Sequence, residues 1–588
     1  MAAALALSLG LLVAHALHYA FLTDDAFISF RYAENLAHGR GLVFNEGDRV
    51  EGYTNFSWVA LLALGSAIGL APEAAAAPLS MLLTLVLWAV VTLHAARSVG
   101  EGRSRLWIVL PGLLLALTRS FALWSTGGLE TRLFELLVAG GCVSLAWRLI
   151  DDREGRGPSF LPPALLFALA CLTRPDGLLI AASCGLGALL LLLRRGSLEP
   201  RHLRAGLAFA GIVAAHLFFR RLYYGDWLPN TYYAKVGGEA WWAMGRVYLE
   251  AFVLEYAVWL WVPAVAVALR AHWRYGTWPI PLVFGLAVAP HAIYVMSIGG
   301  DHFEYRPLDL YFPLLLLLVA DGARELAGDR KRNVLVAGYL AAVCFGLVAI
   351  PWQSHREFPA GYHAGFPAFA GVTPEQFGSA SRGIAFWLPG QDWLQEQWQG
   401  RIWRLSRHFV GLRQEEHAAF LASVREEGLA LHQAVELGSL RDDTHIALDS
   451  VGAIPYLSGL RTLDRLGLTD RNVARQASTV KLMAHAKRAT FGYARSRGVD
   501  FWAADRVHLS FSPEDPNLER AARGCGRGPR RCWSAWLSED RLLVAALPRG
   551  IETTRTRFPR LEWVPLDDEQ ATRALRSLPV GQRLRPAP

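Results

Sequence analysis

The chain has 588 residues, 53% of them hydrophobic and only 19% charged, with a net charge of +8. A soluble domain carries about 25% charged residues, so the composition excludes an ordinary globular protein. The basic charge does not point to nucleic acid: no such motif is present, and much of the arginine sits in short loops between apolar runs, the pattern of a membrane protein oriented by its cytoplasmic charges.

Up to about Ile350 the apolar residues come in long runs; beyond it the chain reads like a soluble protein. This predicts two parts, a membrane part over 1–350 and a water-exposed part over 351–588. Met1 to Ala20 has no Lys or Arg ahead of its apolar run, so it reads as a first transmembrane helix and not as a signal peptide. Runs near spanning length follow at about 79–96, 106–119, 131–149, 160–173, 177–193, 205–219, 248–269, 279–298, 307–321 and 333–350. The fourth and fifth of these either stand apart or form one helix bent around Thr173–Gly177. Phe56–Leu70 reads as a helix lying at the interface, because a further span there reverses every later loop.

Eleven spans with a cytoplasmic N-terminus put sixteen Lys and Arg in the five short loops Arg97–Arg105, Arg148–Arg156, Arg194–Arg204, Arg270–Arg274 and Arg324–Arg332, against about ten in the longer outer loops. The expected fold class is therefore a polytopic α-helical membrane protein of about 11 spans with a C-terminal extracytoplasmic α/β domain. In that domain His445–Asp449, Arg541–Leu547 and Leu561–Val564 read as strands and Gln414–Gly438 as amphipathic helix. Cys525 and Cys532 flank a Gly/Arg/Pro loop there, and an oxidising location favours a disulfide between them. The other four cysteines lie in apolar segments, as small buried hydrophobes do.

The same topology puts every loop rich in unusual polar residues on the outer side. The first opens with Thr23-Asp24-Asp25 and continues Ala26-Phe27-Ile28-Ser29-Phe30-Arg31-Tyr32. Two adjacent carboxylates at the end of a membrane helix are costly unless paired or used: either they solvate the helix end, or one takes a proton from a sugar hydroxyl. The loop then runs through Gly39-Arg40-Gly41 and Val50-Glu51-Gly52-Tyr53-Thr54-Asn55. Later outer loops carry Thr126-Gly127-Gly128-Leu129-Glu130, Thr173-Arg174-Pro175-Asp176-Gly177, Gly225-Asp226-Trp227-Leu228-Pro229-Asn230-Thr231-Tyr232-Tyr233-Ala234-Lys235 and Gly299-Gly300-Asp301-His302-Phe303 with Arg306.

Asp-Asp in the first outer loop resembles the GT-C superfamily of polyprenyl-phosphate-sugar glycosyltransferases. The longer string Asp24–Trp58 resembles the terminal arabinofuranosyltransferases of the mycobacterial cell wall and their bacterial relatives, as do the later loops and, in the C-terminal part, Asp449-Ser450-Val451-Gly452-Ala453-Ile454-Pro455-Tyr456 and Asp464-Arg465-Leu466-Gly467-Leu468-Thr469-Asp470. The resemblance implies an inner-membrane enzyme that moves a sugar, by likeness an arabinofuranose, from a polyprenyl-phosphate donor to an extracytoplasmic glycan or glycoprotein. Asp24 and Asp25 are the candidate catalytic acids, Asp24 ranked first. Arg and Lys clamp phosphate and stabilise a leaving group, which nominates Arg31, Arg174, Lys235, His302 and Arg306 for the donor phosphate, unless Arg174 and Arg306 merely snorkel to the interface. Glu130, Asp226 and Asp301 are candidates for sugar hydroxyls, with Asp176 a weaker one. No cofactor is required; a divalent cation on the acid pair has no further support, and no Cys/His cluster has zinc spacing. The rival classes are a transporter or flippase of lipid-linked sugars, which puts charges or broken helices at the bilayer midplane, and a non-catalytic glycan-assembly protein, which has no need of the acid pair.

Overall fold

The structure, a computed structural model, describes residues 1–100, 103–235, 240–349, 391–477 and most of 482–566. Its contacts divide it into two compact units. The first comprises Met1–Leu22, Thr54–Trp227 and Gly238–His417; the second gathers Thr23–Tyr53, Leu228–Gly237 and Ala418–Pro588. The second unit thus draws on three stretches of chain, two of them from loops between apolar helices.

The first unit is helical. Its elements include α1 (Ala2–His18), α3 (Phe56–Ala67), α4 (Pro72–Ser98), α5 (Leu110–Leu117), α6 (Arg119–Leu123), α7 (Thr131–Arg153), α8 (Leu161–Thr173), α9 (Gly177–Arg195) and α10 (Pro200–Tyr224). It continues through α12 (Trp242–Glu255), α13 (Val262–Arg274), α14 (Pro279–Ser297), α15 (Tyr311–Leu326), α16 (Arg330–Val348) and α17 (Gln391–Ser406). Helices α4, α7, α9, α10, α14 and α16 are long and apolar enough to cross a membrane. A seventh span arises if α12 and α13, bent by 62° at a short break, count as one. Length and composition therefore support six or seven of the eleven expected spans, in a multi-pass membrane architecture. The remaining apolar stretches are helical but shorter. At 12 residues α3 reaches about 18 Å, well under the ~30 Å hydrocarbon thickness. Helices α8 and α9 are separate, divided at Arg174–Asp176.

The second unit is α/β. Helix α2 (Asp24–Ala37) and the short α11 (Asn230–Lys235) join a 7-stranded mixed sheet from the C-terminal stretch, β1 (His445–Leu448), β2 (Arg461–Asp464), β3 (Phe501–Ala503), β4 (Ser510–Phe511), β5 (Cys532–Trp536), β6 (Leu542–Ala546) and β7 (Val564–Pro565). The order is β2-β1-β3-β6-β5-β7, with β4 also on β6. Its β2-β1-β3 half is parallel and the rest antiparallel. Strands β1 and β6 are buried along their whole length, and accordingly read as continuous apolar runs and not as alternation. Trp502, Phe511, Leu542, Val544 and Trp536 pack one face of the sheet. The chain enters this unit within helix α18 (Gln414–Glu436), matching the expected amphipathic helix. Cys532 is disulfide-bonded, whereas Cys142, Cys171, Cys184 and Cys344 are free thiols; Cys525 lies outside the described residues.

Candidate active site

In the second unit, Thr23 is extended and precedes the first turn of α2, where Asp24 and Asp25 sit. Acids in a first turn complement the helix dipole, which alone accounts for their position but not for their surroundings. Asp24 is buried, and its carboxylate is closed from both sides: Oδ1 accepts the Ala453 N–H at 2.7 Å and Oδ2 accepts the Ser450 hydroxyl at 2.8 Å. Burial pushes its pKa up to about 6, with Asp25 adding to the rise and the Ala453 and Ser450 hydrogen bonds opposing it. Asp25 is half-buried, and no donor occupies its carboxylate among the described residues.

The rest of α2 is fastened to the same stretch. Phe27 and Phe30 set their edges against Tyr456 at 5.5 and 6.1 Å between centroids. Arg31 donates to the carbonyls of Phe44 (2.8 Å), Pro455 and Leu460 (3.0 Å), and burial lowers its pKa to about 10. Its guanidinium is thus directed at backbone. Asn45 exchanges hydrogen bonds with the Thr462 backbone at 2.9 and 3.2 Å, and Asn230 donates to the carbonyls of Gly467 and Leu468 at 2.8 Å each. Asp464 takes the N–H groups of Leu466, Gly467 and Thr469, organising the Asp464–Asp470 turn. Lys235 ends α11 and is exposed. The strings that stand far apart in the sequence, Asp24–Tyr53, Asn230–Lys235 and Asp449–Asp470, are thereby one structural body.

The remaining candidates belong to the first unit. Glu130 accepts from Asn55 Nδ2 at 2.9 Å and from Arg174 Nη1 at 3.2 Å. Arg174 also holds Asp176 (3.1 Å from Nε), whose Oδ2 contacts His291 Nε2 at 3.0 Å; His291 Nδ1 meets the Tyr311 hydroxyl at 2.9 Å. Arg174 is therefore compensated by two carboxylates, and both oxygens of Glu130 are occupied. The Gly299-Gly300 turn has positive φ at both residues, +91° and +95°, and a Cβ on Gly300 meets the Tyr248 ring at 2.7 Å, so only glycine fits. The turn presents Asp301, whose Oδ2 accepts from Arg306 Nε at 3.0 Å, with the Arg306 guanidinium 4.4 Å from the Phe303 ring centre. The Arg306 terminal nitrogens carry no hydrogen bond among the described residues. His302 Nδ1 lies 2.9 Å from the Phe409 carbonyl oxygen. Asp226 is half-buried in the turn after α10. Among the described residues no three His, Cys, Asp or Glu side chains cluster as a metal-holding group.

Two crystal structures of ArnT from Cupriavidus metallidurans share this fold. The one bound to undecaprenyl phosphate has a TM-score of 0.54 at 13% identity, over 93% of this chain and 97% of that one; the apo form gives 0.53 at 15% over the same shares. The chain has the ArnT-like GT-C fold. It also resembles two proteins named terminal beta-(1->2)-arabinofuranosyltransferase. That of Mycobacterium tuberculosis is 33% identical over 259 residues (42% of this chain, 39% of the relative). That of Corynebacterium glutamicum is 29% identical over 397 residues (58% of this chain, 54% of the relative). The chain thus spans about two fifths and about half the length of these curated relatives. A family profile described as a domain of unknown function, DUF8728, matches residues 419–537, a stretch that supplies every contact made to α2 by residues 450–460.

Several polar residues of this chain escape a reading by motif. His291 and Tyr311 lie in apolar helices; His291 meets Asp176, and Tyr311 meets His291, only through folding. Arg119, Glu255, Glu304 and Arg413, from four separate segments, form a buried ion network in the first unit. The one local signal for them was a charged residue at the edge of an apolar run, a feature shared with many loop residues.

Proposed function

We propose that this chain is a membrane glycosyltransferase that transfers a sugar, arabinofuranose by its likeness to the curated relatives, from a polyprenyl-phosphate donor to an extracytoplasmic glycan or glycoprotein acceptor. The observation that carries the proposal is the acid pair at the start of α2, in which one carboxylate is closed by two groups of a loop and its neighbour is open among the described residues. A general base needs an unoccupied oxygen within reach of the proton it takes. That requirement moves the role from Asp24, which the sequence ranks first, to Asp25.

In the reaction the acceptor oxygen attacks the anomeric carbon, its proton passes to the Asp25 carboxylate, and the bond from the anomeric carbon to the phosphate oxygen breaks. Polyprenyl phosphate leaves with the bonding electrons. Of the candidates for the donor phosphate we keep Lys235, which is exposed, and Arg306, whose terminal nitrogens carry no hydrogen bond among the described residues; Arg31 and Arg174 are directed at backbone and at carboxylates instead. The charge bias of the loops supports an outward-facing acid pair.

The test uses purified protein in nanodiscs with polyprenyl-phosphoryl-arabinose and a synthetic glycan acceptor. Wild type should release polyprenyl phosphate in step with sugar transfer. If Asp24→Asn and Asp25→Asn both transfer at the wild-type rate, the assignment fails. An alkaline phosphatase fused to the C-terminus should be active in cells; an inactive fusion with a bright cytoplasmic reporter at the same point sinks the topology.

A further inference from the structure

We propose that the loop Asp449–Tyr456, within the domain of unknown function, is the positioning element of the acid pair: Ser450, Gly452 and the Ala453 N–H lock Asp24, and the lock aims Asp25. The proposal rests on the glycosyltransferase reading above and assigns the C-terminal domain a task in that reaction.

Three observations converge on it. The first is the closure of Asp24. An acid in the first turn of a surface helix normally rotates in water; here one oxygen is held by a backbone N–H and the other by a hydroxyl, so the side chain has one orientation. A carboxylate accepts in both directions, whereas an amide in its place reverses the bond with Ser450, whose hydroxyl then has to accept.

The second is the fit of Gly452. A Cβ there falls 2.1 Å from the Asp24 carbonyl oxygen and 2.4 Å from its Cγ. The loop backbone therefore lies against Asp24 at a distance that no side chain permits. Val451 on one side of this glycine and Ala453 on the other are buried, so the loop has little room to retreat.

The third is that the contacts repeat along one face of α2. Asp24, Phe27 and Arg31 stand at i, i+3 and i+7, and all three meet residues 450–460: Ser450 and Ala453, then Tyr456, then Pro455 and Leu460. Successive residues on a helix differ by about 100° in direction, so docking the Asp24 face turns Asp25 away from the loop. Among the described residues Asp25 is left with its carboxylate open while its backbone is held by its neighbour.

Among the described residues the charged and titratable groups facing the pair are few. Asp449 is neutralised by Arg465 (3.0 Å) and Arg488 (2.8 Å), and His485 feels both Asp25 and Asp449. Removing the Ser450 hydroxyl takes a donor from ionised Asp24 and favours its protonated form.

The experiment compares Ser450→Ala, Ser450→Thr and Gly452→Ala in the nanodisc assay and follows amide exchange of the 24–37 peptide by mass spectrometry. Ser450→Ala should lower kcat about 10- to 100-fold, the size of one hydrogen bond to a charged group, with KM for the lipid donor unchanged. Its acid limb in kcat against pH should move upward. Ser450→Thr should restore most of the rate, and Gly452→Ala should combine the kcat loss with faster exchange in 24–37. Unchanged kcat and acid limb in both Ser450→Ala and Gly452→Ala overturn the positioning role, as does a loss carried by donor KM alone. If wild type transfers no sugar, the functional reading falls by itself; the lock is then judged by exchange, and unaltered protection in Gly452→Ala overturns it too.

Discussion

Two acid-rich regions of this molecule are built on opposite plans. In the first unit, Arg413 holds Glu255 through two hydrogen bonds of 2.8 and 3.1 Å and approaches Glu304 at 3.0 Å, while Arg119 bridges Glu304 and Glu415. Tyr305 and Trp398 complete the Glu255 shell at 2.8 and 2.9 Å. In the second unit, Asp24 has neutral donors only and Asp25 has none among the described residues. Titration does not separate the two plans, since burial lifts both Asp24 and Glu304 to about 6. Partners do: arginine-paired carboxylates hold segments together, and an open carboxylate beside a locked one is equipped to move a proton.

The comparison breaks most sharply at Asp25. Asp25→Asn should cost about 10²–10⁴-fold in kcat, the usual contribution of a general base, with the melting temperature within error of wild type. Arg413→Met should do the reverse, destabilising the protein by about 3–5 kcal/mol because Glu255 is left buried and unpaired. Thermal unfolding in detergent measures the second effect, and a stable Arg413→Met protein refutes the architectural role.

The acid limb sharpens the contrast. Activity should rise through pH 6 as Asp24 ionises, losing about tenfold per unit below it. Stability runs the other way for this group: its folded pKa lies above the ordinary value of 3.8, so its contribution is complete below about 4 and is lost as pH rises through 6. Asp24→Asn should flatten that part of the stability curve, and an unchanged curve refutes the assignment. Arg306→Ala should raise donor KM about tenfold, the scale of one charge-assisted hydrogen bond. Lys235→Ala, at an exposed site, should raise it only about two- to fivefold at low salt and less at high salt; equal losses at both salts tell against a phosphate contact.

What the sequence made legible was local. Of the strands expected in the C-terminal half, those at 445–449 and 541–547 occur at His445–Leu448 and Leu542–Ala546, where mostly apolar runs bounded by turn residues mark buried strands; that expected at 561–564 meets the observed Val564–Pro565 at one residue only, and this strand is half-buried. A short helix at Phe56 was equally visible, and it occurs at Phe56–Ala67. Long-range pairing was not. Nothing near Asp24 announces Ser450, and nothing near Asp176 announces His291 on a largely apolar helix. Arg31 and Arg174 look like phosphate ligands in sequence because an arginine in a polar loop carries no mark of the carbonyl or carboxylate that will claim it.

The sequence distance between Asp24 and Ala453, 429 residues, also sets a schedule for biosynthesis. A ribosome adding about 5–20 residues per second needs roughly 20–90 s to travel from one to the other. For that interval α2 has been made and its lock has not, so each nascent chain passes through a period in which the geometry of the acid pair is unset. A ribosome that stalls anywhere before residue 450 leaves behind a chain whose acid pair has no lock.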